Sequence, residues 1–144
     1  MSDVCIRNAT VDDAAAIAAL IGQLGYDATR AEVEERLRRI EASGHAVLVA
    51  EAEAEVIGCL STSTMHVLHR PAPVGRISMM VVDERYRGQR IGARMVKAAE
   101  RLLSANGCQL VEITSNLRRV DAHRFWERLG YERTSARFAK DVSG

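Results

Sequence analysis

Residues 77–103 restrict the fold of this chain more than any other segment. An apolar stretch at 77–82 is followed by a short basic turn that contains Gly88, and then by apolar residues at helical spacing. This pattern predicts a strand, a tight turn and an amphipathic helix that begins near Gly92. The first N–H groups of a helix lack intrahelical partners, and together with the helix dipole they favour an anion such as a phosphate. A glycine in the turn lets the phosphate approach the backbone.

The composition is that of an ordinary globular protein and argues against several classes of function. The chain has 144 residues, of which 47% are hydrophobic and 27% charged, so we expect a single domain over residues 1–144 with a buried core. A net charge of +1 gives no general attraction for nucleic acid or a membrane surface. No apolar run approaches the length of a membrane helix, and the N-terminal residues do not resemble a signal peptide. Three scattered cysteines without a CxxC pair indicate reduced thiols and a cytoplasmic protein.

Apolar periodicity and capping residues predict the element order β-α-α-β-β-β-α-β-α-β. Thr10 and Thr29 are placed to cap the first two helices, and Thr29 can form a capping box with Glu32. The stretch from Tyr131 to about Lys140 is expected to be the last strand. The two strands that flank the third helix should be parallel, because a strand–helix–strand crossover places them so. The sequence therefore predicts an α/β domain with a mixed sheet and helices on both faces.

Two motifs resemble those of the GNAT N-acetyltransferases. Residues 87–92 are similar to the acetyl-coenzyme A signature Arg/Gln-x-x-Gly-x-Gly/Ala, with Arg90 in place of the middle glycine. Asn116 and residues 122–131 are similar to the family's strand-Asn and Ala-x-x-Phe-Tyr-x-x-x-Gly-Phe/Tyr pattern. The predicted element order also resembles that of the GNAT fold. Within the family, Ser-Asn-x-x-Arg-x-Asp-Ala-His-Arg-Phe and the ending Arg-Phe-x-Lys look most like the bacterial aminoalkylphosphonate N-acetyltransferases.

The resemblance implies a single-domain GNAT fold that takes acetyl-coenzyme A (acetyl-CoA) as its co-substrate. The expected mixed sheet has about six to seven strands, four helices lie on both faces, and two parallel strands splay apart at the cofactor site. The backbone of the strand at 77–82 would pair with the pantetheine arm, and the amides of the basic turn would hold the pyrophosphate. The residues assigned to the cofactor in this way are Met80, Val81, Val82, Arg87, Gly88, Gln89, Arg90, Ile91, Gly92, Ala93, Asn116, Phe125 and Trp126.

The reaction implied by the resemblance is attack of an amine on the thioester of acetyl-CoA. An alkyl ammonium has a pKa of about 10, so a base or a chain of waters must remove its proton. The strand at 77–82 lacks the acidic residue that relatives often carry there. The groups that remain for this role are Glu112, Asp83, Glu51 and a water held by Ser78.

The leaving thiolate also needs a proton, and many relatives supply it from a tyrosine at the position of Trp126. An indole N–H is too weak an acid for this step, so we expect Trp126 to pack beside the cofactor. Water, Tyr131, Tyr86 or Tyr26 would then protonate the thiolate. The catalytic candidates chosen from these alternatives are Glu112, Tyr131 and Ser78.

The acceptor side of the site is expected near the linker between the first two helices, which commonly overlies the acceptor in this family. Tyr26 and Asp27 are therefore candidate acceptor-binding residues. His123 is a further candidate, with a plain position on a helix surface as the alternative. His66 and His69 have no partners at the spacing of metal ligands, so no metal site is predicted.

The sequence thus predicts an enzyme that acetylates the primary amine of a small molecule by direct attack in a ternary complex, with an aminoalkylphosphonate as the leading acceptor. Other acceptors left open are an amino sugar, an aminoglycoside, a polyamine and a protein amine. A CoA-binding module without turnover is a second class, because Met79 and Trp126 stand where catalytic groups are expected. A nucleic-acid-binding domain rests only on the arginine clusters, and the near-neutral charge argues against it. No membrane partner is expected, and a homodimer is left open because many relatives dimerise.

Overall fold

The computed structural model describes residues 3–115 and 120–144. Two short 3-10 turns, Val11–Asp13 and Glu84–Tyr86, precede α1 and α3. Within the described residues the strands and α-helices are β1 (Val4–Asn8), α1 (Ala14–Gln23), α2 (Arg30–Ala42), β2 (Val47–Ala52), β3 (Glu55–Met65), β4 (Val74–Val82), α3 (Ile91–Ala105), β5 (Leu110–Ile113) and α4 (Val120–Arg128).

The strands form one mixed sheet in the order β1-β2-β3-β4-β5. The first three pairs are antiparallel, and β4 and β5, which flank α3, are parallel as predicted. The expectation of six to seven strands is wrong for the described chain, which has five. The predicted last strand from Tyr131 to Lys140 has no regular secondary structure. A strand needs a neighbour for its backbone groups, and no described strand lies paired with this segment.

Helices cover both faces of the sheet, as predicted, and each face has its own apolar core. On one face, α1 and α2 contribute the buried Ile17 and Val33, which belong to the same cluster as Val81 of β4. On the other face, Met95 of α3 and Trp126 of α4 are buried in the cluster that contains Ile77 of β4. Strand β4 therefore lies in the middle layer and carries core residues toward both pairs of helices.

A β-bulge in β4 changes which face its side chains occupy. Ser61 of β3 pairs with Met79 and the next residue of β3 pairs with Ile77, so Ser78 has no partner across the ladder. Because one extra residue shifts the alternation, Ile77 and Met80 pack on the same side, against the α3 core. The bulge also leaves Ser78 exposed. The apolar alternation of the sequence did not predict this change of face.

The start of α2 has the capping interaction that the sequence predicts. Thr29 and Glu32 form the expected capping box at the start of α2.

All three cysteines are free, and burial raises the pKa of the Cys59 thiol to about 12. Cys108 is also buried, whereas Cys5 is exposed and remains open to thiol reagents. Among the described residues, no helix is both long enough and apolar enough to cross a bilayer.

Candidate active site

A cleft opens where β4 and β5 stop pairing. The ladder between them runs from Val74 with Leu110 to Ile77 with Ile113, and β5 ends there while β4 continues to Val82. The cleft has a volume of about 1350 Å³. Its walls come from residues 78–82 of β4, the turn and first residues of α3, residues 113–115, and α4. The end of this ladder, where the two parallel strands were expected to splay apart, therefore coincides with this cleft.

The turn before α3 presents backbone N–H groups and positive charge to this cleft. Gly88 has a φ of +84°, and Arg90, the residue at the helix N-cap, has φ 62° and ψ 18°, which is the left-handed region. The Arg90 side chain makes no capping hydrogen bond, so it leaves the first N–H groups of the helix open to a ligand. Ile91, Gly92 and Ala93 line the cleft at that point. The geometry suits an anion at the start of α3.

Several arginines of the basic turn are held by contacts within the protein. Arg85 forms an ion pair with Asp83 at 2.9 Å. Arg87 donates from Nε to the carbonyl oxygen of Val82 at 3.2 Å, and Arg94 donates from Nη2 to the carbonyl oxygen of Val4 at 2.8 Å. These contacts fix the turn against β4 and β1. The cradle for an anion therefore consists chiefly of backbone N–H groups.

Helix α4 gives the cleft an aromatic, closely packed wall. The Phe125 and Trp126 rings lie edge to face, with centroids 5.0 Å apart. A Cβ atom at Gly92 would lie 3.3 Å from Cζ of Phe125 and 3.5 Å from Cε of Met80. Glycine at this position therefore allows the start of α3, the Phe125 ring and the Met80 side chain to meet at one point.

All but one of the predicted cofactor residues that the structure describes line the cleft. Met80, Val81, Val82, Arg87, Gly88, Arg90, Ile91, Gly92, Ala93, Phe125 and Trp126 line it. Gln89 is not among the lining residues. Asn116 lies outside the described residues.

Two of the three predicted catalytic residues point to other partners. Glu112 accepts hydrogen bonds from Arg76 at 2.7 and 3.0 Å and is not among the residues that line the cleft. The Tyr131 hydroxyl donates to Glu100 at 2.8 Å and is likewise outside the lining. Burial and the Glu100 carboxylate raise the pKa of Tyr131, which makes it a weaker acid than a free tyrosine. Sequence alone did not reveal either partner.

Ser78 is the predicted catalytic residue that the structure places in the cleft. Its hydroxyl lies 2.8 Å from the Ser61 hydroxyl across the β4 bulge. The alternative bases Asp83 and Glu51 are both ion-paired, with Arg85 and Arg7 respectively. Of the groups considered from the sequence as the base, Ser78, which was expected to hold a water, is the one that lines the cleft.

Of the three predicted acceptor-binding residues, one lines the cleft and two do not. Tyr26 lines the cleft and is 69% exposed, whereas Asp27 is not among the lining residues. His123 also lies outside the lining, with its Nδ1 atom 2.8 Å from Nη2 of Arg133. Among the described residues, no group of three or more His, Cys, Asp or Glu side chains is placed to hold a metal ion.

Sequence reasoning missed several lining residues, of which Ser115 is the most informative. Its hydroxyl oxygen is buried and has no hydrogen-bond partner among the described residues, although it faces the cleft. A buried hydroxyl without a partner is costly, so this atom is suited to a ligand. Asp121, Arg128 and Arg137 also line the cleft without having been assigned a role. All three lie within the motifs on which the family resemblance rests, but no individual role followed from those motifs.

The family model described as "Acetyltransferase (GNAT) family" matches residues 15–131. The chain belongs to the GNAT acetyltransferase family. It is 35% identical over 143 residues to an aminoalkylphosphonate N-acetyltransferase of Salmonella typhimurium, covering 95% of this chain and 91% of the relative. It is 28% identical over 132 residues to an uncharacterized N-acetyltransferase of Chlorobaculum tepidum, covering 91% of this chain and 77% of the relative.

Solved structures share the GNAT fold. The aminoglycoside N-acetyltransferase AAC(6')-Iy in complex with CoA superimposes with a TM-score of 0.89 at 18% identity, covering 100% of this chain and 97% of that one. Glucosamine-6-phosphate N-acetyltransferase of Arabidopsis thaliana gives a TM-score of 0.84 at 23% identity, covering 98% and 99%. At these identities the likeness concerns the fold.

This GNAT protein is an acetyl-CoA-dependent N-acetyltransferase, and its cleft fits that co-substrate. The open N–H groups at the start of α3 suit the phosphates, and the buried Ser115 hydroxyl, which has no partner among the described residues, lines the same cleft. The cleft is large enough for an extended ligand. The predicted enzyme class and cofactor are therefore confirmed, while the role of each residue remains a prediction.

The left-handed backbone at Arg90 gives a direct test of the turn. Replacing Arg90 with glycine should raise the free energy of unfolding by about 0.5–1 kcal/mol, because a side chain in this conformation costs about 1–2 kcal/mol that glycine avoids. Chemical denaturation measures the change. Arg101→Gly, at an exposed position inside α3, is the matched control and should lose about 1 kcal/mol. Equal losses in both variants would contradict the assignment of a left-handed turn.

Proposed function

We propose that the chain, as a single domain over residues 1–144, transfers the acetyl group of acetyl-CoA to the primary amine of an aminoalkylphosphonate. The observation that carries this acceptor is the 35% identity to the Salmonella typhimurium enzyme over nearly the whole of both chains. The charge of the cleft supports it as well. Arg128 and Arg137 line the cleft. Guanidinium groups donate charge-assisted hydrogen bonds to the anionic oxygens of a phosphonate.

The proposed placement of the co-substrate follows the geometry of the cleft. The backbone of residues 80–82 would pair with the amides of the pantetheine arm, since among the described residues β4 has no ladder partner on that side beyond Ile77. The N–H groups from Arg87 to Ala93 would hold the pyrophosphate, and Ser115 would donate to the arm from the opposite wall. Phe125 and Trp126 would close the cleft against water.

The acceptor amine would attack directly in a ternary complex. Acetyl-CoA supplies an activated acyl group, so holding the amine beside it provides much of the acceleration. Tyr26, on the α1–α2 connection, and Ser78, on β4, both line the cleft, and we place the acceptor beside them. A water held by the exposed Ser78 hydroxyl would take the ammonium proton, because Glu112 is paired with Arg76. A backbone N–H near Val81 would polarise the reacting carbonyl.

The proton for the leaving thiol has to come from a group that reaches the cleft. Tyr131 is hydrogen-bonded to Glu100, and the pKa of its hydroxyl is raised. Tyr26 and Tyr86 both line the cleft, and water can enter from its open side. We therefore assign this step to water or to one of these two tyrosines and keep Trp126 as a packing residue.

The proposal is tested by binding first and turnover second. Acetyl-CoA at 100 times its dissociation constant should stabilise the protein by about 2.7 kcal/mol, seen as a rise in melting temperature. Acetylation should then be followed by mass spectrometry of the product, because the exposed Cys5 reacts with thiol reagents. We expect kcat/KM for 2-aminoethylphosphonate to exceed that for propylamine by about 10- to 100-fold, the value of a charge-assisted hydrogen bond or two.

Each failure has a distinct meaning. Stabilisation with acetylation of an amino sugar or aminoglycoside in place of the phosphonate would reject the acceptor. Stabilisation without acetylation of any amine in the panel would favour a CoA-binding module. No stabilisation at saturating acetyl-CoA would contradict the cofactor placement along β4 and α3.

A further inference from the structure

The bulge in β4 brings two serine hydroxyls into contact at the edge of the cleft. Ser78 lines the cleft and is exposed, whereas Ser61 of β3 is partly buried and is not among the lining residues. The two hydroxyl oxygens are 2.8 Å apart, and Ser78 Oγ also lies 3.3 Å from the carbonyl oxygen of Ser61. Since 17 positions separate the two serines, the sequence gave no sign of this contact.

The directions of the two hydrogen bonds follow from their donors and acceptors. Each serine hydroxyl has one hydrogen and two lone pairs. A carbonyl oxygen only accepts, so Ser78 supplies the hydrogen in its contact with the Ser61 carbonyl. Among the described residues, the Ser61 hydroxyl has Ser78 Oγ as its hydrogen-bond partner, so its hydrogen goes there. Ser78 is then left with one lone pair and no hydrogen for the cleft.

A hydroxyl that only accepts toward the cleft restricts what binds beside it. A water at Ser78 donates an O–H to the serine, and its own lone pairs stay available for the proton of an ammonium group. An amine at Ser78 donates an N–H, and the lone pair that attacks the thioester stays available in the same way. A serine that donated its hydrogen into the cleft would instead occupy the lone pair that has to react.

We propose that Ser61 is a positioning residue for the acetyl transfer, which acts by keeping Ser78 as a hydrogen-bond acceptor toward the amine and its water. This role rests on the proposed function, the acetylation of a primary amine. An N–H bond of the ammonium breaks, its proton passes to the water oxygen and then to the solvent that reaches the exposed Ser78, and the nitrogen keeps the electron pair for attack. Ser61 lies outside the lining of the cleft and acts through Ser78.

A double-mutant cycle tests whether Ser61 acts through Ser78. Ser61→Ala should lower kcat/KM for the amine by about 5- to 10-fold, the worth of one hydrogen bond, because the Ser78 hydrogen can then turn toward the cleft. Ser78→Ala should lower it at least as much. The double variant should be no slower than Ser78→Ala, since the contact of Ser61 is already lost. Ser61→Thr keeps the hydroxyl and suits a strand, so it should restore kcat/KM to within about twofold.

Ser63→Ala is the matched control. It makes the same change two positions further along β3, on the same face of the strand, at a partly buried serine that is not among the lining residues. Its kcat/KM should stay within about twofold of the wild-type value. The rise in melting temperature with acetyl-CoA should be equal in all of these variants, because none of them changes a residue assigned to the cofactor.

Losses that add in the double variant would overturn the positioning role, because Ser61 would then act independently of Ser78. So would an unchanged Ser61→Ala, an equal loss in Ser63→Ala, or a Ser61→Thr protein that stays as slow as Ser61→Ala. Acetylation of another amine class in place of the phosphonate would reject the proposed acceptor alone, since the cycle is measured with whichever amine is acetylated. A wild-type chain that acetylates no amine of the panel would overturn both proposals.

Discussion

Replacing Trp126 with alanine is expected to lower the free energy of unfolding by about 3–5 kcal/mol, as measured by chemical denaturation. The indole is only 8% exposed and belongs to the core between α3 and the sheet. It also forms edge-to-face contacts with Phe125 at 5.0 Å and with Tyr131 at 5.3 Å between ring centroids. Alanine would remove these contacts and leave a cavity beside the cleft.

The control for this prediction is Trp126→Phe, which keeps an aromatic ring but has no N–H group. It should lose about 1–2 kcal/mol, and kcat should stay within about tenfold of the wild-type value, because we assign the indole a packing role. A stably folded Trp126→Phe protein whose kcat falls 100-fold or more would contradict this role. The result would then assign the indole N–H to the reaction.

The second large effect is expected at Asp13, where one carboxylate joins three parts of the chain. It accepts hydrogen bonds from Arg7 Nη1 and Nη2 at 2.9 Å and from the N–H of Thr10 at 2.8 Å. Arg7 also donates to Glu51 at 2.8 Å, so β1, β2 and the turn before α1 are linked. Asp13→Ala should therefore lose about 2–4 kcal/mol, because a capping group and a partly buried, bidentate ion pair disappear together.

The pH dependence of this effect has a defined sign. The hydrogen bonds from Arg7 are the largest cause that lowers the pKa of Asp13 below its ordinary value of 3.8. A carboxyl group with a lowered folded-state pKa contributes its full stability above the unfolded value and loses it as the pH falls toward the folded value. The stability difference between wild type and Asp13→Asn should therefore be constant from pH 5 to 7 and shrink below about pH 4.

The neighbouring residue provides a matched control. Asp12 is exposed and stands beside Asp13 in the same turn. Asp12→Asn should change stability by about 0.5 kcal/mol or less at any of these pH values, as surface substitutions usually do. Equal losses in Asp12→Asn and Asp13→Asn would show that the carboxylate at 13 has no special role in linking the strands.

Local sequence predicted the parts of the site that depend on neighbouring residues. The strand, basic turn and helix between residues 77 and 103 were readable because apolar spacing and glycine act over a few positions. The Thr29–Glu32 capping box was readable for the same reason, since both partners lie within one turn. The glycine position occupied by Arg90 proved to be a left-handed residue, which explains why glycine suits that place in the signature.

The side-chain partners could not be predicted, because they lie far apart in the chain. Glu112 was a candidate base until the parallel register placed it opposite Arg76, 36 positions away. Tyr131 was a candidate acid, yet it is bonded to Glu100, 31 positions away. Nothing in the local patterns of these residues reports which strand or helix packs beside them. The residues that transfer protons are therefore the part of the site that the sequence predicts least well.

The sequence by itself determined the order of the helices and strands from β1 to α4, the strand, turn and helix at 77–103 and the family, because each depends on local spacing or on recognisable motifs. The tertiary structure decided the β4 bulge, the divergence of β4 from β5, and which carboxylates are already paired. It also decided that the strand pattern at 131–140 forms no regular strand and pairs with no strand of the described residues. Register and pairing arise from contacts between distant segments, and a local pattern specifies only that a strand needs a neighbour, not which neighbour it has.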